Sequence, residues 1–458
     1  MKEFLEETIR VVPSARQLKW FEMGFYAFIH FGMNTFTGRE WGNGDEPESF
    51  FHPQKLDCDQ WVSAIKAAGM KGLILTAKHH DGFCLWPSRY TEHSVKNSPY
   101  PGDIVKEAAE ACRRGGISFG FYLSPWDRNS KLYGTDSYND YFCNQLTELL
   151  TQYGDIFCVW FDNACGEGPN GVKQNYDFPR YFDLIRKYQP DAVIFNDFGP
   201  DTRWIGNEAG KVRENEWAVV PSELCKYSKI QTKAAPLADK GDLSFLYNTS
   251  KSLGTLDVVM FSKGLTFTPA EVDTSIRPGW FWHEKENPKS LEQLFEIYID
   301  SVGGNCCLNL NVPPNTDGLI DARDVKRLKE LGELINSRFG KEIPSHCVQR
   351  SGEATFQKEY EIVFEKPCNS FRYVVIEEDL TRGQRVESFQ IFLEKGGYDV
   401  FPLYEGRTIG NRKICELTDS SREQNTLLFD SEQEVTDKLI LRVTSARGDA
   451  FFKNIKVY

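Results

Sequence analysis

The first 340 residues alternate short apolar runs with segments whose apolar positions recur at helical spacing. The apolar runs have the length and composition of strands buried on both faces, and they occur at residues 24–31, 72–78, 117–123, 156–163, 192–196 and 306–310. Two more strands are expected within residues 216–276, where the pattern is weaker. The predicted sheet is therefore parallel, with helices between its strands.

Capping signals support the helices between these strands. Asp103 precedes one helix and Gly115 and Gly116 are expected to end it, and Ser290 forms a capping box with Gln293 at the start of another. The spacing leaves room for eight strand–helix units between residues 20 and 340, which predicts a (β/α)8 TIM-like barrel. An open doubly wound sheet is the alternative, but no Gly-x-Gly-x-x-Gly turn follows the first strand.

The pattern changes after a helix predicted at residues 321–338. Beyond a linker at residues 340–345, apolar and polar residues alternate in short runs at residues 361–364, 371–376, 389–392 and 438–443. This pattern is typical of an antiparallel β-sandwich. We therefore expect a barrel domain over residues 1–340 and a C-terminal sandwich over residues 345–458. Packing support for the barrel is the favoured role of the sandwich, and ligand binding is the alternative.

Charge and hydropathy narrow the range of partners. The 54 basic and 66 acidic residues give a formal charge of −12, and no basic run suits a nucleic-acid partner. No segment is long and apolar enough to span a membrane, and residues 1–7 lack an apolar signal core. The chain as given is expected to be cytoplasmic, or exported if a signal peptide has been removed. The 12 cysteines are scattered, as in a reduced protein.

Polar and ring-bearing residues lie at the end of each of the first four predicted strands or just beyond it. The carboxyl ends of barrel strands meet at one mouth, so these side chains are expected to converge there: His30, Glu40, Trp41, His79, His80, Tyr122 and Asp162. Asp162 ends the most apolar strand of the chain. A carboxylate in that position is costly to desolvate unless it is hydrogen-bonded or used in chemistry, although an Asp that caps the next turn is the simpler interpretation.

Three histidines at strand ends admit two interpretations. Imidazole is a common zinc ligand, so a metal-dependent hydrolase that uses His30, His79 and His80 is one of them. Adjacent His79 and His80 are expected to point to opposite sides of an extended chain, which disfavours a shared metal. Neutral imidazoles that exchange hydrogen bonds with sugar hydroxyls fit better, and no metal or organic cofactor is predicted.

If the ligand is a sugar, cleavage of its glycosidic bond needs a second carboxylate. In a retaining enzyme one carboxylate is the nucleophile and the other is the general acid and then the base. The candidates after the fifth strand are Glu208, Glu214, Glu216 and Glu271. Glu208 is favoured narrowly, because its loop also carries Trp204 and glycines that permit close approach to a ligand.

The strand-end motifs, taken together and in order, resemble the α-L-fucosidases of glycoside hydrolase family 29. The matching stretches are Phe28-Ile29-His30-Phe31-Gly32, Glu40-Trp41-Gly42, Lys78-His79-His80-Asp81-Gly82-Phe83, Phe121-Tyr122-Leu123-Ser124-Pro125-Trp126 and Trp160-Phe161-Asp162. The resemblance covers residues 15–340. The segment around Glu208, Pro269-Ala270-Glu271-Val272-Asp273, and residues 277–283 are similar to the second subfamily of that family.

The resemblance implies a role for each site residue. Asp162 corresponds to the nucleophile and Glu208 to the acid/base, whereas His30, Glu40, Trp41, His79, His80 and Tyr122 correspond to the fucose pocket. The implied activity is retaining removal of terminal α-1,3- or α-1,4-linked L-fucose from Lewis-type glycans and glycoconjugates. A broad-specificity fucosidase or transfucosidase, and a catalytically silent fucose-binding protein on the same fold, are the alternatives.

Overall fold

The structure is a computed structural model that describes residues 2–100, 102–197, 199–225, 252–350, 358–395, 398–399, 402–417 and 435–458. The strands of its N-terminal part are β1 (Phe25–Ile29), β2 (Gly72–Lys78), β3 (Ser118–Leu123), β4 (Cys158–Trp160), β5 (Val193–Phe195), β6 (Arg203–Trp204), β7 (Val219–Pro221), β8 (Leu265–Phe267), β9 (Ala270–Ser275) and β10 (Cys307–Asn311). The α-helices are α1 (Lys2–Arg10), α2 (Ala15–Met23), α3 (Met33–Thr37), α4 (Cys58–Ala67), α5 (Ile104–Gly115), α6 (Asp136–Gln152), α7 (Phe178–Tyr188), α8 (Leu256–Val259), α9 (Leu291–Val302) and α10 (Ala322–Phe339).

Eight of these strands form one parallel sheet in the order β5-β4-β3-β2-β1-β10-β9-β6. A parallel bridge between Phe195 and Thr202 joins β5 to the start of β6 and brings the two edges together. The predicted TIM barrel is thus confirmed, and the open doubly wound sheet is wrong.

The sixth strand is not where the sequence pattern put it. β6 contains only Arg203 and Trp204, which lie before the interval of residues 216–276, whereas β9 lies inside that interval. Residues 226–251 of the interval are outside the described part of the chain. Two residues make too short an apolar run to recognise, and β6 is held in place by parallel pairing with β9.

Helix ends follow the predicted caps. The Asp103 side chain accepts a hydrogen bond from the Lys106 backbone at the start of α5, and Gly116 ends that helix in the left-handed conformation at φ 68°. The capping box of Ser290 and Gln293 opens α9 as expected. These helices pack their apolar faces on the outside of the barrel and form its largest core.

The barrel interior is a separate core with a polar centre. Tyr26 and Phe28 of β1, Tyr122 of β3 and Trp160 of β4 fill it. The Glu271 carboxylate lies fully buried among them, accepting hydrogen bonds from Trp160 Nε1 at 2.8 Å, from Asn309 Nδ2 at 3.0 Å and from the Tyr26 hydroxyl. This layer is the floor below the strand ends.

The C-terminal part is a sandwich of antiparallel strands, as predicted. The strands are β11 (Ser345–Gln349), β12 (Lys358–Cys368), β13 (Tyr373–Glu378), β14 (Val386–Phe392), β15 (Glu394–Lys395), β16 (Tyr398–Asp399), β17 (Tyr404–Arg407), β18 (Lys413–Glu416), β19 (Thr436–Ala446) and β20 (Phe452–Val457). One sheet has the order β11-β12-β19-β14-β17 and the other β18-β13-β20. Their inward residues form a core of their own.

An apolar interface joins the sandwich to the barrel. Tyr373, Val375 and Ile414 pack against Tyr298 and Ile299 of α9, together with Phe339 at the end of α10. Across the described ranges, no helix combines the length and apolar character that a membrane crossing requires. All 12 cysteines are free thiols.

Candidate active site

Asp162 follows β4 at the barrel mouth, where the sequence placed it. Its Oδ2 accepts a hydrogen bond from the Tyr122 hydroxyl at 3.1 Å, and its Oδ1 accepts one from the Ala164 backbone N–H at 2.7 Å. The side chain is 29% exposed, so it is reachable from the mouth. Burial raises the pKa of Tyr122 well above its usual range, and the Asp162 charge adds to this, so the phenol stays protonated as a donor.

His30, at the end of β1, has a tautomer set by Asn311 of β10. The Asn311 amide nitrogen donates to the Trp280 carbonyl at 2.8 Å, which turns its Oδ1 towards His30 Nδ1 at 2.9 Å. His30 Nδ1 therefore carries the proton, and Nε2 is free to accept a hydrogen bond. Burial lowers the pKa of His30 to about 3, so the ring is uncharged.

His79 is held in the opposite tautomer by Asn34. The Asn34 amide nitrogen donates to the Glu40 backbone oxygen at 3.3 Å and also faces His79 Nδ1 at 3.3 Å. His79 Nδ1 is therefore an acceptor, and Nε2 carries the hydrogen. Burial lowers the pKa of His79 well below its usual range, to which the neighbouring His80 contributes.

His80 is oriented by Ser124, which follows β3. The single hydroxyl hydrogen of Ser124 goes to the Trp126 carbonyl at 2.7 Å, so the oxygen accepts from His80 Nδ1 at 2.7 Å. Nε2 of the neutral ring is then an acceptor, 3.7 Å from Asp162 Oδ2. Burial lowers the pKa of His80, and the Asp162 charge partly offsets that effect.

The expectation that His79 and His80 point to opposite sides is wrong. Their ring centroids are 4.2 Å apart, and both rings belong to the same aromatic group at the mouth. β2 ends at Lys78, and the chain then turns, with the Gly82 N–H bonded to the His79 carbonyl at 3.0 Å. Within the described ranges, no group of three His, Cys, Asp or Glu side chains is arranged to hold a metal ion.

Two other residues of the same motif are structural. Lys78 Nζ lies 3.0 Å from Asp127 Oδ2 and 2.9 Å from Gln145 Oε1, all of them buried. Asp81 Oδ1 accepts from the Phe83 backbone N–H at 2.7 Å, and burial raises the pKa of this carboxyl to about 6. These contacts fix the turn that presents the two histidines.

Glu40 and Trp41 lie on the rim. Glu40 Oε2 accepts from the Trp280 backbone N–H at 2.9 Å, which ties the loop after β1 to the loop after β9. Trp41 is 58% exposed and meets the His80 ring edge-on, at 5.8 Å between centroids. An exposed ring beside a polar pocket provides an apolar face for a sugar.

Glu208 shares a cavity with Asp162. The cavity has a volume of about 310 Å³ and is lined by Trp160, Asp162, Asn163, Ala164, Cys165, Asp197, Trp204, Glu208 and Asp273. The surrounding protein partly desolvates the Glu208 carboxyl and raises its pKa. A hydrogen bond from Trp280 opposes that rise, and the charges of Asp162 and Glu40 add to it.

The other three acid candidates lie elsewhere. Glu216 is buried and forms ion pairs with Arg203 and Arg213, and its Oε2 lies 3.1 Å from Arg213 Nη1. Glu214 is exposed on the surface, and Glu271 belongs to the floor of the barrel. Of the four, Glu208 is the one that lines the cavity with Asp162.

Trp160 and Trp280 complete the site, and sequence reasoning gave neither a role in sugar contact. Trp160 is stacked between Phe195 at 4.2 Å and Tyr122 at 5.3 Å, below Asp162. The Trp280 ring lies 5.0 Å from the His30 ring. Trp160 could have been identified from its position two residues before Asp162 on the same face of the strand. Trp280 comes from a loop whose path the sequence does not reveal.

The arrangement can therefore bind a neutral polyhydroxylated ligand between uncharged rings, next to two carboxyl groups in different environments. The exposed carboxylate of Asp162, aligned by Tyr122, is accessible to an electrophilic carbon. Glu208 is placed so that its raised pKa favours the protonated form that a general acid needs.

Comparisons with known proteins agree with this chemistry. The family model for α-L-fucosidase matches residues 9–177 and 166–338. "Alpha-L-fucosidase 1" of Arabidopsis thaliana is 39% identical over 461 residues, covering 94% of this chain and 86% of its own length. The solved structure of a Bacteroides ovatus protein superimposes with a TM-score of 0.86 at 39% identity, covering 100% of this chain and 75% of that one.

A fucosidase of the glycoside hydrolase 29 family from Ruminococcus gnavus, solved in complex with fucose, has a TM-score of 0.80 at 29% identity and covers 98% of this chain and 95% of its own. A glycoside hydrolase 29 family member from an unknown rumen bacterium has a TM-score of 0.81 at 37% identity, covering 98% of this chain and 77% of its own. From the family match and these relatives, the chain belongs to the α-L-fucosidases of glycoside hydrolase family 29 and is a glycoside hydrolase that acts on α-L-fucosides.

Proposed function

We propose that the protein is a retaining exo-α-L-fucosidase that releases terminal α-1,3- or α-1,4-linked L-fucose from Lewis-type glycans by double displacement. Asp162 attacks C1 of fucose and forms a covalent fucosyl-enzyme, while Glu208 gives its proton to the leaving oxygen. Glu208 then takes a proton from water, which attacks C1 and releases fucose. The observation that carries the proposal is the shared cavity of Asp162 and Glu208, in which Glu208 has a raised pKa.

The tautomers of the histidines match a hydroxyl-bearing ligand. His30 and His80 each present an accepting Nε2, whereas His79 presents a donating one, so the pocket offers both kinds of partner that hydroxyl groups need. Because the pKa of His30 is lowered to about 3, its ring stays uncharged above that pH, and Nε2 can accept a hydrogen bond from a sugar hydroxyl. The fucose complex of the Ruminococcus gnavus relative supports fucose as the sugar bound here.

The preference for branched glycans rests on the sequence segments around Glu208 and residues 269–283. Fucose release should be measured from a Lewis-type trisaccharide, an α-1,2-fucosylated lactose and an aryl α-L-fucoside at equal concentration. We expect release mainly from the Lewis trisaccharide. Release mainly from the other two would contradict the linkage assignment but leave a fucosidase, and release from none would favour a catalytically silent fucose-binding protein.

Asp162→Asn tests the nucleophile. We expect turnover to fall by about 10³-fold or more, because the amide cannot form the ester intermediate, while fucose still binds. Wild-type turnover by this variant would exclude Asp162 as the nucleophile. Asp155→Asn, an exposed carboxylate on the same stretch of chain, is the control and should retain full activity.

Glu208→Ala tests the acid/base. The loss should be largest for sugar leaving groups, which need a proton, and smaller for an activated aryl fucoside. Azide should restore part of the activity, because it needs no general base, and the product should be a fucosyl azide of retained stereochemistry. Equal losses on both substrates, without azide rescue, would exclude Glu208 from this role.

A further inference from the structure

The cavity beside Asp162 is lined by more carboxylic acid side chains than the two that the proposed mechanism uses. Four of its lining residues are the carboxylic acids Asp162, Asp197, Glu208 and Asp273, and none of the lining residues within the described ranges is a lysine, arginine or histidine. Even with Glu208 protonated, as a general acid requires, the three other carboxylates around a cavity of about 310 Å³ would repel one another strongly. At least one further group should therefore be uncharged at the pH at which the enzyme works.

Asp273 is the group best placed to hold that proton. It lies near the carboxyl end of β9 and is 5% exposed, and its Oδ1 is buried with no hydrogen-bond partner among the described residues. Burial raises the pKa of Asp273 well above its usual range, and the charges of Glu271 below it and of Glu208 and Asp197 around the cavity act in the same direction.

The neighbouring strand supplies an independent reason for a proton at this position. Parallel register pairs Asp273 with Asn309 of β10, so their side chains lie on the same face of the sheet. Asn309 uses its Nδ2 to bond Glu271 at 3.0 Å, and its Oδ1 is buried without a partner in the described structure. Asp273 Oδ1 and Asn309 Oδ1 are thus two buried acceptors without a donor in the described structure, and a proton on Asp273 converts one of these acceptors into a donor.

We propose that Asp273 is a substrate-contacting residue that works as an uncharged acid and hydrogen-bonds a hydroxyl of the sugar on the leaving-group side of the scissile bond. The leaving-group side follows from the cavity: Asp273 shares it with Glu208, which protonates the leaving oxygen, and His30, His79 and His80 do not line it. The Trp204 ring in the same lining offers that sugar an apolar face. This inference rests on the proposed roles of Asp162 and Glu208.

An uncharged acid suits this position chemically. A third carboxylate beside Glu208 would hold its proton more tightly and slow its transfer to the leaving oxygen. A carboxylic acid keeps a hydrogen-bond donor and an acceptor without that charge. Asparagine has nearly the same shape and also offers both, so it should substitute for Asp273, which an essential carboxylate would not allow.

The test compares Asp273→Asn with Asp273→Ala on two substrates, the glycan that the wild-type enzyme cleaves best and an aryl α-L-fucoside. We expect Asp273→Asn to keep kcat/KM within about threefold of wild type on both substrates. Asp273→Ala should lower kcat/KM about tenfold on the glycan, mainly through KM, as expected for one lost hydrogen bond. On the aryl fucoside, its kcat/KM should fall by less than about threefold. Thermal unfolding of both variants checks that the fold is retained.

Other outcomes overturn the proposal. An equal loss of kcat/KM in Asp273→Asn and Asp273→Ala would mean that a charged carboxylate is required. Unchanged kcat/KM in both variants would mean that Asp273 makes no substrate contact. Equal losses on glycan and aryl fucoside would place its effect on the fucose side or on the fold. Because the glycan is chosen by wild-type turnover, a wrong linkage assignment leaves the test intact, and failure of the proposed mechanism is detected separately by Asp162→Asn and Glu208→Ala.

Discussion

Each histidine of the pocket is specified by a partner on a different element of the barrel. Asn311 of β10 sets His30, Asn34 of α3 sets His79, and the loop residue Ser124 sets His80. None of these partners has to touch the sugar to matter, because each decides which ring nitrogen donates and which accepts.

Ser124→Ala should impair binding by removing the acceptor that fixes His80. The ring can then adopt the other tautomer, and we expect kcat/KM on an aryl α-L-fucoside to fall about tenfold, mainly through KM. Ser124→Thr, which keeps the hydroxyl, should retain most of the activity. The ¹⁵N shifts of His80 should report mixed tautomers in the alanine variant alone; an unchanged spectrum would contradict this role.

The charge of Glu40 should affect the pH profile through Glu208. Burial is the largest cause of the raised pKa of Glu208, and the charges of Asp162 and Glu40 raise it further. Glu40→Gln should therefore lower the pKa of Glu208. Because the acid must be protonated, the alkaline limb of kcat/KM on a glycan should move to lower pH, whatever the loss in absolute rate. Glu214→Gln, which removes an exposed charge, should leave the limb unmoved.

Most site residues could be predicted because each lies at the end of a recognisable strand or just beyond it, as His30, His79, Tyr122 and Asp162 do. What the sequence could not give is how the side chains are paired. Asn311 lies 281 positions from His30, and its effect on the tautomer depends on the barrel bringing β10 beside β1. Asp273 was seen as part of a motif, but its charge state depends on burial.

At the scale of elements, β9 joins the floor of the barrel to the site. Glu271 points into the barrel core, and Asp273, two residues further on, reaches the cavity. The period of two along a strand puts both on the same face. β9 was predicted only as an unplaced strand, and β6 was missed, because its two residues depend on pairing with β9 rather than on their own composition.

Glu271→Gln should weaken the pH dependence of stability. Burial raises the pKa of Glu271 to about 7, against about 4.3 for a glutamate in an unfolded chain. The folded state thus binds this proton more tightly, so the contribution to stability is complete below about pH 4.3 and is lost as the pH rises towards about 7. The wild-type Tm should fall over that interval more than that of the variant.

Glu333→Gln, which changes a glutamate that is 66% exposed, should keep the wild-type slope. Glu378 of the sandwich also has a pKa raised by burial to about 7, and it contributes equally to the pH dependence of stability in wild type, Glu271→Gln and Glu333→Gln. Glu271→Leu should be much less stable than Glu271→Gln, because the donors of Tyr26, Trp160 and Asn309 would lose their buried acceptor. Parallel slopes in wild type and Glu271→Gln would contradict the assignment.

At the scale of the whole molecule, barrel and sandwich share an apolar interface that neither could leave exposed. Ile414 and Val375 of the sandwich cover Tyr298 and Ile299 of α9, and the Asn305 backbone N–H bonds the Arg412 carbonyl at 3.1 Å. The alternating pattern predicted the sandwich itself. It could not predict which face packs on the barrel, because that depends on where α9 leaves apolar surface uncovered.

Ile414→Asp should therefore destabilise the barrel as well as the sandwich. Ile414 is 6% exposed and packs within the hydrophobic cluster of this interface, so the desolvation of a carboxylate at this position should cost about 3 kcal/mol or more. We expect a lower Tm for the loss of fucosidase activity on heating, with kcat unchanged at low temperature. Val348→Asp, at a sandwich residue that is 46% exposed, is the matched control. A wild-type inactivation temperature for Ile414→Asp would show that the barrel does not depend on the sandwich.

The floor under Asp162 has an evolutionary consequence. Trp160 supports the site through Tyr122 and at the same time fills the barrel core through Phe195 and Glu271, so almost any substitution there loses stability and activity together. The loops that follow β4, β5 and β6 carry Cys165, Asp197 and Glu208 without filling that core. Descendants of this chain should therefore differ in the leaving groups that they accept, while their specificity for the released sugar stays the same.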